Sequence, residues 1–308
     1  MIYADGFGKR SSGILLGTTY FGDTISKNDA FSLMDKYIAL GGNHIDTARM
    51  YANGESEKVI GAWLKSRNPV DVLVSSKGGF PDLNGNPRLS EKEIRADLEK
   101  SLTALGQEKI DFYWLHRDDE SISVAEIIEM MNTFVKEGKI VRFGASNWKS
   151  SRIEEANNYA KTHTVCGFEA SQIRFSPAVI APGGNDDPTL VDMDKGEFDF
   201  YKGAKMPVAA FASQAKGFFS KLAQFGESGL SEKSKKRYFC DENVRRYEII
   251  KELAEEKNCS VGAAVCGIMC SMENIFPIIG CSNVCQLADS MTGAEIKFTD
   301  IEINKIFR

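Results

Sequence analysis

The feature that most restricts the fold is a rhythm: short apolar runs alternate with longer amphipathic segments from one end of the 308-residue chain to the other. Alternation at this spacing implies strands laid parallel and joined by crossover helices. The apolar runs predict strands over 14–18, 43–47, 71–77, 111–116, 140–146, 168–173, 207–213 and 275–280. The clearest helices fall at 26–40, 55–66, 90–105, 124–136, 150–161, 243–257 and 261–272, several opened by a Ser or Asn suited to N-capping. About eight strand–helix units over this length fit an α/β fold of the (β/α)8 TIM-barrel type, with its active site at the C-terminal ends of the strands. A doubly wound sheet is the rival, but no G-x-G-x-x-G follows the first strand and no G-x-x-x-x-G-K-[ST] occurs anywhere, so its phosphate-binding turn is missing. No Pro/Ser-rich linker or long like-charge run divides the chain, so residues 1–308 read as one domain. Asp5-Gly6 is a hairpin signal, and residues 1–14 are expected to form an N-terminal β-hairpin closing the bottom of the barrel.

A formal net charge of -5 leaves no broad basic surface, which argues against nucleic acid or an anionic membrane as partner and for a small molecule. The first dozen residues lack a signal-peptide pattern and no run is long and apolar enough to span a bilayer, so the expected location is cytoplasmic. The oligomeric state is not legible. Of seven cysteines, Cys266 with Cys270 and Cys281 with Cys285 show a spacing of four. The first pair lies in an Ala/Gly/Val/Met-rich helical stretch where thiols are ordinary core residues, so no metal site is expected and all seven are read as reduced.

Chemistry concentrates at the ends of the second, third and fourth strands, which carry Asp46, Lys77 and His116, with Tyr51 in the loop after Asp46. Consecutive strand ends are neighbours in a barrel, so these four groups should meet at one mouth. A phenol, with an ordinary pKa of about 10, is a reluctant acid, and a nearby ammonium favours its ionised form. Lys77 would supply that charge and Asp46 would hold Lys77, while His116 would orient the substrate oxygen and donate to it. His44, two residues before Asp46, faces the same side one layer deeper and reads as a hydrogen-bonded core histidine.

The run Gly41-Gly42-Asn43-His44-Ile45-Asp46-Thr47-Ala48-Arg49-Met50-Tyr51-Ala52-Asn53-Gly54-Glu55-Ser56-Glu57 resembles the Asp-Thr-Ala…Tyr…Gly-x-Ser-Glu signature of the aldo-keto reductases. The resemblance continues through Ser76-Lys77, Asp111 to Arg117, Gly144 to Trp148 and Ile278 to Ser282, and so covers nearly the whole chain. It implies an NAD(P)(H)-dependent oxidoreductase reducing an aldehyde or ketone, with the catalytic tetrad on Asp46, Tyr51, Lys77 and His116. By the same resemblance Ser146, Asn147 and Gln172 would hold the nicotinamide carboxamide. Ser213, Lys216, Gly280, Ser282, Asn283 and Gln286 would line the phosphate end of the cofactor, on the last two strand loops. Many family members carry Arg or Lys just after the glycine of the eighth strand, where this chain has Cys281-Ser282-Asn283. Family habit favours NADP(H); the missing cation leaves NAD(H) open. Tyr20, Phe21, Phe80, Trp114 and Trp148 follow or end strands and are candidate substrate contacts, and Arg49, Arg117 and Asp118 hint at a hydroxylated, sugar-related substrate. The competing reading is a cofactor-binding regulatory or auxiliary subunit of the same fold.

Overall fold

In the computed structural model, which describes residues 3–5, 7, 9–185 and 187–307, eight parallel strands close into a barrel. Before it stand β1 (Tyr3–Asp5) and β2 (Arg10–Ser12). The barrel strands are β3 (Leu15–Gly17), β4 (His44–Asp46), β5 (Leu73–Gly78), β6 (Ile110–Leu115), β7 (Ile140–Ser146), β8 (Ser171–Arg174), β9 (Val208–Phe211) and β10 (Ile275–Ile279). They pair in chain order, and β10 closes on β3. The helices are α1 (Lys27–Ala39), α2 (Glu55–Arg67), α3 (Glu91–Leu105), α4 (Val124–Lys136), α5 (Ser150–His163), α6 (Lys195–Ala204), α7 (Phe218–Phe225), α8 (Glu232–Tyr238), α9 (Asp241–Glu256), α10 (Val261–Ser271), α11 (Val284–Thr292) and α12 (Asp300–Phe307). None of the described helices is long and apolar enough to cross a membrane.

Local chemistry sets the element ends. Ser26, Ser123 and Ser260 accept the N3 amides of α1, α4 and α10, and Ser90 with Glu93 and Ser123 with Glu126 form reciprocal capping boxes. Ser150 is not a cap: Lys149 takes that position, and the Ser150 hydroxyl donates to Glu197 of α6 at 2.9 Å. The third apolar run becomes a strand at Leu73 rather than Asp71, because Asp71 adopts a left-handed φ of 58° that no ladder accommodates.

Alternation along the strands sorts side chains between two cores. Leu15, Phe112, Trp114, Ala170, Ala209, Phe276 and Ile278 fill the barrel interior, while the opposite faces pack under the helices. The N-terminal hairpin closes the bottom as expected, β1 and β2 pairing antiparallel; Gly6 itself lies outside the described residues. Phe7 plugs the floor, its ring edge-on to His44, Phe112 and Phe276 at 4.8–5.4 Å. Burying that ring contributes roughly 1.5–3 kcal/mol. Asn43 ties the hairpin to the base of β4, accepting from Ser12 N at 2.7 Å and donating to Arg10 O at 2.9 Å. Cys266 is fully buried in α10, and the Cys270 thiol donates to Gly13 O.

Candidate active site

Parallel pairing brings the four sequence-selected groups together at the C-terminal mouth. In the β4–β5 register Asp46 stands opposite Ser75, and Lys77 follows two residues later on the same side. Lys77 Nζ donates to Asp46 Oδ2 at 2.6 Å and to Thr47 O at 2.7 Å. Its remaining N–H is left for Tyr51, whose ring centre lies 4.8 Å from Nζ. Burial alone would lower the Lys77 pKa, but the charge of Asp46 and the Tyr51 phenol outweigh it, and the net shift is upward. The lysine stays an ammonium with water excluded.

Tyr51 opens a tight turn, Tyr51–Gly54, in which Ala52, Asn53 and Gly54 all have positive φ. Glycine is required at 54: a Cβ there would lie 1.5 Å from Arg49 Nη2. Arg49 pairs with buried Glu57, which also accepts from Ser76 Oγ at 2.6 Å, and Arg49 N donates to Lys77 O at 3.0 Å. These bonds fasten the tyrosine-bearing turn to β5.

His116 directly follows β6, its amide donating to Gly78 O at 2.8 Å. Its ring stands edge-on to Tyr51 at 6.1 Å and to Phe80 at 4.9 Å between centroids. Burial, then the Lys77 and Arg117 charges, push its pKa well below the usual histidine value. The imidazole is therefore neutral at neutral pH, able to donate one hydrogen bond but not to compete as the acid.

Ser146, Asn147 and Gln172 form one patch. Ser146 pairs with Gln172 across β7 and β8, Asn147 N donates to Gln172 O at 2.9 Å, and Asn147 Nδ2 reaches Ser146 Oγ at 3.1 Å. Gln172 Nε2 in turn donates to Asp46 Oδ1 at 3.1 Å, so the patch touches the tetrad. On the adjoining rim, Ser213 is buried and donates to Ile278 O at 2.7 Å, while Lys216 and Gly280 are exposed. A Cβ added at Gly280 would meet nothing within 4 Å. At the start of α11, Asn283 spends its side-chain oxygen on the amides of Cys285 and Gln286, and Gln286 Oε1 accepts from Ser282 N at 2.9 Å.

The aromatic candidates divide. Phe80 lies against His116 and edges the mouth, while Tyr20 is half exposed on the loop that follows β3. Phe21, Trp114 and Trp148 are sealed in the core, Trp114 on Phe112 and Phe7 inside the barrel, Trp148 on Phe168 beneath the helices. The polar candidates are each engaged internally: Arg49 with Glu57, Arg117 with Asp187 and Thr189, Asp118 with Arg152. A cavity of about 360 Å³ adjoins Lys77 and Phe80, walled also by Met50, Asn53, Arg49 and Arg88. Sequence reading passed over Ser75, although its place two residues before Lys77 puts it on the same face.

The family model described as Aldo/keto reductase family matches residues 13–307. Among curated proteins, the chain is similar to norsolorinic acid reductase of Emericella nidulans, 26% identical over 97% of this chain and 78% of the relative. It is 25% identical to norsolorinic acid reductase B of Dothistroma septosporum over 96% of this chain and 78% of that protein. A probable aryl-alcohol dehydrogenase of Saccharomyces cerevisiae is 27% identical over 91% of this chain and 87% of its own length.

Proposed function

The chain belongs to the aldo/keto reductase family, and we propose that it reduces an aldehyde or ketone to an alcohol with a nicotinamide cofactor, NADP(H) before NAD(H), Tyr51 giving the proton. The observation that carries this reading is Lys77, shared at the mouth between Asp46 and Tyr51 and kept charged although buried.

Ser146, Asn147 and Gln172 suit a carboxamide, offering donors and acceptors fixed in one patch beside the tetrad. The exposed rim of Lys216, Gly280, Ser282 and Gln286 suits a pyrophosphate, which needs close backbone approach. When bound, the nicotinamide supplies a hydride to the carbonyl carbon. The chain's residues manage the oxygen. Neutral His116 donates a hydrogen bond that polarises the carbonyl, and Tyr51 transfers its phenolic proton as negative charge develops there. Lys77 stabilises the resulting phenolate, and Asp46 keeps Lys77 in place.

For substrate class we place a carbonyl next to an aromatic ring ahead of a sugar-related one. Phe80 gives the mouth an aromatic edge, and Arg49, Arg117 and Asp118 already have internal partners. Two relatives are also named for norsolorinic acid and one for aryl alcohols. The test is coenzyme titration followed by a screen of aryl and sugar aldehydes for NADPH and NADH oxidation. Carbonyl-dependent oxidation is expected, fastest with aryl aldehydes; its absence across the panel overturns the reading.

A further inference from the structure

Beneath the tetrad a file of polar side chains runs down the barrel interior. Ser11 Oγ lies 3.0 Å from His44 Nδ1, His44 Nε2 lies 3.1 Å from Ser75 Oγ, and Ser75 Oγ donates to Asp46 Oδ1 at 2.9 Å. All four side chains are buried.

Counting hydrogens fixes the direction of the file. A serine hydroxyl has one hydrogen, and Ser75 places it on Asp46, so Ser75 Oγ must receive the N–H of His44 Nε2. A neutral imidazole has one N–H, so His44 Nδ1 can only accept, and the single Ser11 hydrogen is shared between that nitrogen at 3.0 Å and Ser12 O at 3.2 Å. Neutrality is enforced by burial, which pulls His44 to about 4 against the raising charges of Asp46 and Asp111, with Lys77 lowering it further. The His44 and Ser75 hydrogens therefore both point toward the Asp46 carboxylate.

That orientation matters because Asp46 has only two oxygens. Oδ2 takes Lys77; Oδ1 takes Ser75 and Gln172. Under the function proposed above, Gln172 also meets the nicotinamide, so its hold on Asp46 varies with cofactor binding. Ser75 has no second task. We propose that Ser75, its hydroxyl aimed by His44, is a positioning residue for the Asp46–Lys77 pair, holding the carboxylate on Lys77 whether or not cofactor is bound. The catalytic meaning of this relay rests on the proposed reaction; the relay itself does not.

The test uses the whole chain labelled with [13C]lysine, free of cofactor and substrate, following the Lys77 Cε resonance against pH, with Lys77→Met giving the assignment. Ser75→Val and Ser75→Thr have the same shape and differ by one hydroxyl. Loosening Asp46 leaves burial less opposed, so in Ser75→Val Lys77 loses its proton about one pH unit lower than in wild type; Ser75→Thr restores the wild-type titration. Because His44 acts through Ser75, His44→Leu gives a smaller shift of the same sign, and adding it to Ser75→Val gives none beyond that of Ser75→Val. Identical titration in Ser75→Val and Ser75→Thr, or additive shifts in the double variant, overturns the proposal. With benzaldehyde and NADPH, Ser75→Val lowers kcat on the order of tenfold with KM little changed, the cost of a misaimed group. If Tyr51→Phe keeps full turnover while the Lys77 shift appears, the reaction assignment fails and the relay stands.

Discussion

Lys77 Nζ lies 2.6 Å from Asp46 Oδ2 with both side chains shut off from water. Such a pair is costly to assemble and costlier to break on one side, because the surviving charge has nothing to offset its desolvation. Asp46→Asn is therefore expected to lose about 3–5 kcal/mol of stability in denaturant titration. The double variant Asp46→Leu/Lys77→Met, with both charges gone, recovers most of that loss yet stays inactive. A double variant as unstable as Asp46→Asn would mean that the pair's geometry, rather than its charge balance, holds this end of the barrel together.

Tyr51→Phe removes one hydroxyl from a half-buried ring and leaves the Asp46–Lys77 pair intact. Folding and coenzyme affinity should stay near wild type while turnover falls on the order of 100-fold or more, the scale of losing a positioned acid. Steady-state kinetics on an aryl aldehyde decide it, and turnover within a factor of a few of wild type rules out Tyr51 as the proton donor. Lys77→Met should be impaired similarly.

The barrel was legible because period-2 and helical patterning record which face of each element is covered, and eight such records in series admit few architectures. That Asp46, Tyr51, Lys77 and His116 meet was legible for the same reason: strand ends converge by topology. What escaped were features decided by packing between distant segments. Trp114 and Trp148 sit near strand ends like true pocket residues, and only Phe112, Phe7 and Phe168 against them mark them as core. Arg117 looked like a substrate contact until Asp187, seventy residues on, took its guanidinium. His44 was readable as a buried histidine, but its reach to Asp46 through Ser75 needs the β4–β5 register.

The two buried histidines make stability depend on acid. His44 is pulled down to about 4 and His116 well below its ordinary value, so between the unfolded value near 6.5 and those folded values the unfolded chain binds more protons. The stability associated with neutral rings is complete above about pH 6.5 and drains away as pH falls. At pH 5 the loss should be about 2 kcal/mol for His44 alone. Denaturant unfolding at pH 7 and pH 5 measures it, and His44→Gln should show a correspondingly smaller loss. An equal loss in that variant assigns the acid sensitivity to His116 and the carboxylates.

The proposed nicotinamide patch makes a separable prediction. Gln172→Ala should weaken coenzyme binding about tenfold, near the worth of one good hydrogen bond. Asn147 has φ 57°, where alanine would add strain, so Asn147→Gly is the cleaner deletion of its amide. Fluorescence titration with NADPH reads both variants, and unchanged dissociation constants in both would move the nicotinamide off this patch.

Under the proposed function, coenzyme choice is expected to turn on the start of α11. Asn283 is committed to capping that helix and the Gln286 oxygen to the Ser282 amide, which leaves the Ser282 hydroxyl for a 2′-phosphate. With a hydroxyl in place of a cation, preference for NADPH should be modest and should erode with salt, since little charge enforces it. Ser282→Asp would set a carboxylate against the phosphate and lower the NADPH-to-NADH ratio of kcat/KM, with NADH use suffering less. Ser282→Arg should raise it, because a guanidinium meets phosphate with two parallel hydrogen bonds. Placing that cation at 283 would confuse the result, since losing the cap costs about 1 kcal/mol. If the ratio is the same in wild type, Ser282→Asp and Ser282→Arg, the 2′-phosphate is read on the neighbouring rim, where exposed Lys216 sits in a left-handed turn before α7. Lys216→Gln should then lower the ratio on its own, because no other lysine or arginine lies within the 213–217 or 280–286 segments.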